Sequence, residues 1–136
     1  MNGAHHGCRA AVLTCIDYRF VQEVREFLAA QGLEGKVDLV AWPGGALALG
    51  TEDREQILQT LELSRRLHHS EEIMLTAHWD CGRVGGSAAF AGPDAERLEL
   101  ERGLAFAAGV VVKRIPGVHV RLVKFGDGET VELDSI

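Results

Sequence analysis

Cysteine is scarce in this 136-residue chain: there are three, an odd number. A fully paired disulfide framework is thereby excluded. In a reducing compartment such cysteines serve as core residues, ligands or nucleophiles. Positive charge is also short, with 14 Lys and Arg against 20 Asp and Glu, a net charge of −6 and a pI near 5.5. That balance argues against a general binder of nucleic acid or of anionic membrane surfaces. No run approaches the roughly 18 apolar residues of a membrane helix. There is no G-x-x-x-x-G-K-[ST] phosphate loop, no internal repeat, no low-complexity stretch and no linker. Met1 to Cys8 lacks a basic n-region and the first apolar run is too short for an h-region, so the expectation is a cytoplasmic chain.

What is present is an ordinary globular composition, 46% hydrophobic and 25% charged. The length suits one domain over residues 1–136, with 1–8 flexible. Arg9 to Thr14 is a continuous apolar run, as expected of a strand buried on both faces of a parallel sheet. Phe20, Val24, Phe27 and Leu28 follow at helical spacing, and Gly32 and Gly35 stop that helix. Lys36 to Trp42 reads as a second strand, broken by Pro43-Gly44-Gly45. Thr51 is an expected N-cap for a helix carrying Ile57, Leu58 and Leu61. Arg65, Arg66, His68 and His69 then suit the negative end of its dipole. Glu72 to His78 is the third strand. A long helix begins at Pro93-Asp94, carries Leu100, Leu104, Ala107 and Val111, and is stopped by Pro116-Gly117. Val118 to Phe125 is a fourth strand, and Gly126-Asp127-Gly128 turns it into an antiparallel return over Thr130 to Leu133. The spacing thus predicts a doubly wound α/β fold: a mainly parallel sheet of about four strands plus an antiparallel edge strand, with helices on both faces.

Two stretches carry chemistry. Thr14-Cys15-Ile16-Asp17-Tyr18-Arg19 stands at the carboxyl end of the first strand, where open α/β sheets place their ligand sites. While the chain stays extended, Cys15, Asp17 and Arg19 share a face. His78-Trp79-Asp80-Cys81-Gly82 stands at the end of the third strand. Two strands ending side by side would bring Cys15, His78 and Cys81 around one ion, and zinc accepts such a set with one position open. Spacing alone is equally compatible with three unrelated residues: a buried Cys15, a capping His78 and a structural Cys81. Asp17 and Arg19 pair bidentately in this reading, or form a surface ion pair of little worth. Cys15 as a reactive thiol is a further reading; a tyrosine-phosphatase-like loop, however, places Arg six residues after Cys, and Arg19 is only four after.

C-x-D-x-R followed some sixty residues on by H-x-x-C resembles the β-class carbonic anhydrases, here as Cys15-Ile16-Asp17-Tyr18-Arg19 and His78-Trp79-Asp80-Cys81-Gly82. The resemblance covers roughly residues 9–133. It implies that Cys15, His78 and Cys81 bind one Zn2+, leaving Cys8 dispensable for that ion. It implies that Asp17 and Arg19 form a dyad that orients a zinc-bound hydroxide for attack on carbon dioxide, giving bicarbonate. The dyad carboxylate either pairs with the arginine or swings in as fourth ligand. Tyr18, Gly44, Gly45, Trp79 and Gly82 are the expected pocket residues, and a homodimer or higher homo-oligomer is the expected assembly. Two features depart from the family pattern. Ala41-Trp42-Pro43-Gly44-Gly45 stands where the family commonly reads R-N-A-G-G, and no glutamine lies upstream of the first motif. The alternative readings are a zinc hydrolase of another small heterocumulene, such as carbonyl sulfide or carbon disulfide, and a non-catalytic zinc- or anion-binding homologue.

Overall fold

The computed structural model describes residues 6–133, so the first five residues of the segment expected to be flexible lie outside the described residues. Five strands form one sheet: β1 (Ala10–Thr14), β2 (Val37–Ala41), β3 (Glu72–His78), β4 (His119–Gly126) and β5 (Glu129–Leu133). Their spatial order is β2-β1-β3-β4-β5. The first four are parallel and β5 returns antiparallel to β4. Asp127 and Gly128 make that return with φ of 55° and 79°, the paired positive angles of a two-residue hairpin that follows the strand twist.

Every residue of β1 is buried, which explains its unbroken apolar run. Side chains alternate between two cores. Ala11 and Leu13 enter one and Val12 the other; Ile73, Leu75 and Ala77 of β3 join the first and Met74 the second. The larger core is closed by α2 (Arg54–His68) and α3 (Pro93–Arg114) through Ile57, Leu61, Leu100, Leu104 and Val111. The smaller is closed by α1 (Val21–Ala30) through Val24 and Leu28. Helices therefore cover both faces, as the spacing predicts. The cause is topological. The chain steps from β1 outward to β2, then reverses to β3 on the other side of β1, and crossovers of one hand then lie on opposite faces. The reversal leaves a crevice between the carboxyl ends of β1 and β3, where doubly wound sheets bind ligands.

One segment departs from the expected loop. Gly45–Gly50 is a 3-10 helix whose Ala46, Ala48 and Leu49 are fully buried in the larger core. Thr51 is also not the N-cap of α2. Its hydroxyl donates to Ala48 O at 2.6 Å and accepts from the Asp53 N–H at 3.2 Å, so it closes the 3-10 segment, and α2 begins three residues later. Among the described residues no helix is long and apolar enough to cross a membrane.

Candidate metal centre

Cys15 follows the last residue of β1 and His78 is the last residue of β3, so both stand in the crevice. Cys81 arrives one short loop later and is buried. One ligand atom from each of Cys15, His78 and Cys81 lies within 4.8 Å of the others. The orientation of His78 is fixed from behind, since its Nδ1 lies 2.6 Å from the Trp79 carbonyl oxygen. That contact assigns the ring proton to Nδ1 and leaves Nε2 with a lone pair. The Nε2 atom is buried and has no hydrogen-bond partner. Phe20 stacks on the imidazole at 4.2 Å between ring centroids. A buried acceptor held without a partner is costly, so it signals a missing binding partner.

The two thiols polarise each other. The Cys15 thiol is held well below its usual range, first by the hydrogen bond from Cys81 and then by His78 and the Gly44 N–H. Cys81 is pushed up, because it donates to Cys15 and because it is buried. Burial opposes the imidazolium of His78, and the Cys15 sulfur, the Trp79 carbonyl and the Asp17 carboxylate tip the balance upward. Electron-rich sulfur, imidazole nitrogen and an orphaned lone pair fit a borderline divalent cation such as zinc.

Asp17 and Arg19 pair, but their geometry is not that of an extended strand. Asp17 caps a single 3-10 turn over Tyr18–Phe20, and its Oδ1 accepts the Arg19 backbone N–H at 3.0 Å. The turn, not strand alternation, folds the guanidinium back onto the carboxylate. Nη2 and Nε reach Oδ2 at 2.6 and 3.1 Å, and Nε reaches Oδ1 at 3.0 Å. Chiefly through these bonds, Arg19 holds the Asp17 carboxyl down to about 2. Asp17 Oδ2 stands 3.7 Å from His78 Nε2.

Three supporting groups were not anticipated from the sequence. Asp80 accepts from Arg19 Nη1 at 2.9 Å, and its own carbonyl accepts from Nη2 at 2.9 Å, so one guanidinium joins both loops. Asp80 itself has φ 56°, a left-handed conformation that aspartate tolerates. Glu96, in the first turn of α3 and almost fully buried, accepts from the Asp80 N–H at 2.8 Å and from the Ser87 hydroxyl at 2.9 Å. Arg83 reaches Asp53 at 2.9 Å, and Trp42 Nε1 donates to the same carboxylate oxygen at 3.1 Å. Asp80 lies inside a quoted motif, whereas Glu96 is an acid in the first turn of α3, where the helix dipole alone gives it a place.

A cleft of about 370 Å³ opens beside the cluster, reaching Cys15 and Asp17 between Tyr18, Pro43, Gly82 and Arg83. Tyr18, Gly44 and Gly82 line it. Gly45 and Trp79 do not. Gly45 is buried beneath Cys15, where an added Cβ would stand 2.8 Å from Thr76 O and 2.9 Å from Cys15 N. Trp79 packs against the larger core, with its side chain over Gly126. The Pro43-Gly44-Gly45 turn has a function beyond reversal: at φ 92°, Gly44 aims its N–H at Cys15 Sγ, 3.3 Å away. A larger, shallower groove of about 520 Å³ along α1, beside Val21, Arg25 and Ala29, offers no cysteine or histidine.

Comparison with solved structures places the fold among β-carbonic anhydrases. The chain superposes on β-carbonic anhydrase isoform I of Trichomonas vaginalis with a TM-score of 0.62 at 18% identity, covering 99% of this chain and 86% of that one. For the β-carbonic anhydrase CafA of Aspergillus fumigatus the values are 0.52 and 16%, over 96% and 76%. Two uncharacterized proteins, from Rickettsia bellii and Rickettsia conorii, are 32% and 31% identical over 75 residues, or 52% of this chain. These matches span 46% and 40% of the two relatives' own lengths. A family model described as "Putative carbonic anhydrase" matches residues 5–99, well over half of the sequence, and on that match the chain belongs to this carbonic anhydrase family.

Proposed function

We propose that the chain hydrates carbon dioxide to bicarbonate with the help of zinc held by Cys15, His78 and Cys81. Family membership and fold support a carbonic anhydrase type of function. The observation that carries the metal is the buried, partnerless Nε2 of His78 facing two polarised thiols. When bound there, zinc supplies the Lewis acidity that makes a water nucleophilic near neutral pH.

The remaining work falls to the chain itself. The Gly44 N–H supports negative charge on Cys15 Sγ. Asp17, ionised far below neutral pH, accepts the hydrogen of the attacking water and directs its lone pair; at about 2 it is too weak a base to keep the proton. Arg19 fixes that carboxylate and, through Asp80, fixes it relative to the second loop. The cleft beside Ile16, Tyr18 and Gly82 admits a small, linear substrate. The same reading carries a homodimer as the simplest assembly, open to light scattering.

Elemental analysis together with a stopped-flow carbon dioxide hydration assay tests the proposal. Zinc that depends on Cys15, accompanied by hydration, supports it. Zinc without hydration transfers the assignment to another heterocumulene or to a non-catalytic zinc protein, both of which can be assayed on the same sample. Absence of Cys15-dependent zinc overturns it.

A further inference from the structure

Cys8 lies outside the centre just described, at the other end of β1. Seven residues of extended chain put it about 23 Å from Cys15. There, one ligand atom from each of Cys8, Asp38 and His68 lies within 4.8 Å of the others. The three come from separate elements: the residues before β1, the second residue of the edge strand β2, and the last residue of α2. All three are half-buried.

The backbone holds this arrangement in place. The Cys8 N–H donates to the His68 carbonyl at 2.8 Å. Asp38 Oδ2 accepts from the Ser64 hydroxyl at 2.6 Å, which fixes the carboxylate, and lies 2.7 Å from His68 Nδ1. The Asp38–His68 contact accounts for two of the residues. Cys8 converges on the same point: its sulfur contacts the Ala10 carbonyl at 3.5 Å and also interacts with Asp38 and Ser64. A groove of about 260 Å³, walled by Leu39, Leu63 and Leu67, opens onto Asp38, Ser64 and His68 and gives an ion and a water a way in.

We propose that Cys8, Asp38 and His68 form a second cation site that takes zinc, with a water in the fourth position. Thiolate, imidazole and carboxylate are the three side-chain ligand types zinc accepts, and a mixed set disfavours magnesium and calcium. The ion ties the segment before β1 to the edge strand and to the end of α2. The inference is independent of the carbonic anhydrase reading.

Full-length wild type, Cys8→Ser, Asp38→Asn and His68→Gln are equilibrated with zinc, freed of unbound ion and analysed for metal, with circular dichroism to verify folding. Wild type should hold two equivalents. Each variant should hold one, and Cys15→Ser should lose the other equivalent while keeping this one. Cobalt in place of zinc should give a thiolate charge-transfer band that Cys8→Ser reduces. Equal zinc in wild type and Cys8→Ser overturns the proposal, as does zinc that stays only in large excess. If Cys8→Ser fails to fold, the near-isosteric Asp38→Asn decides by the same loss of one equivalent.

Discussion

Glu96 holds Asp80 by its backbone: the N–H of Asp80 donates to Glu96 Oε2 at 2.8 Å. The helix carrying Glu96 thereby sets the position of the loop between His78 and Cys81. Glu96→Ala should leave α3 formed yet loosen that loop, lowering zinc affinity at the Cys15 centre by about 10–100-fold, the range for partners one step removed from a metal. Glu96→Gln, which keeps an acceptor oxygen, should restore most of it. Competition with a chromophoric chelator reads the difference, and unchanged affinity in Glu96→Ala would count against the coupling.

Cys15→Ser and His78→Ala should each remove the zinc equivalent held at the crevice, as elemental analysis would show. They should also abolish the zinc-dependent rise in melting temperature from that site. With free zinc at 100 times its Kd, that rise corresponds to about 2.7 kcal/mol. Full retention of zinc in both variants refutes the ligand assignment.

Asp17→Asn and Arg19→Ala should keep zinc and lose hydration rate, by about 10²–10⁴-fold, as is typical when a proton-handling group is removed. Rates within a factor of two of wild type would reduce the pair to a salt bridge.

Gly45→Ala should perturb the centre without touching a ligand side chain. The new Cβ meets two backbone atoms at 2.8 and 2.9 Å, at a φ of 54°. The conformational strain alone is on the order of 1–3 kcal/mol, and a clash with Cys15 N pushes the sulfur off its position. A lower melting temperature accompanied by weaker zinc binding is the expected result, whereas Gly35→Ala, where nothing lies within 4 Å, should leave zinc binding unchanged.

Arg114, the last residue of α3, ties that end to α2, reaching Glu55 at 2.7 and 2.8 Å and Glu62 at 3.1 Å. The pairing lowers the Glu55 carboxyl from 4.5 to about 2. A carboxyl depressed in the folded state stabilises above its unfolded pKa, and this contribution is lost as pH falls through the folded value. The stability gap between wild type and Arg114→Ala should therefore be widest above about pH 5, close progressively down to pH 2 and shrink in high salt. Chemical denaturation across that range measures it; a gap constant with pH would mean that Arg114 acts through packing.

The parallel sheet was legible because β1 and β3 are buried apolar runs and β2 lies between Gly35 and Pro43; Glu72 to His78 is bounded by the sequence as it is by the hydrogen bonds. The 3-10 segment Gly45–Gly50 was not, because six small and apolar residues show neither helical nor strand periodicity, and it is secured by burial against α3. Cys15, Asp17, Arg19, His78 and Cys81 stood out because they fall in two short clusters at strand ends. Glu96 and Arg83 did not, since their partners are distant in sequence and each has an ordinary local explanation.

The Arg19 contact with Asp80 spans 61 positions of the chain. A growing polypeptide thus carries Cys15, Asp17 and Arg19 long before His78 and Cys81 have been synthesised. Until β3 exists, β1 lacks one of its two neighbours. During that interval Cys15 is an ordinary accessible thiol, without the Cys81 and His78 contacts that lower its proton affinity. Its reactivity toward oxidants and stray metals therefore changes only once the second loop has folded against β1.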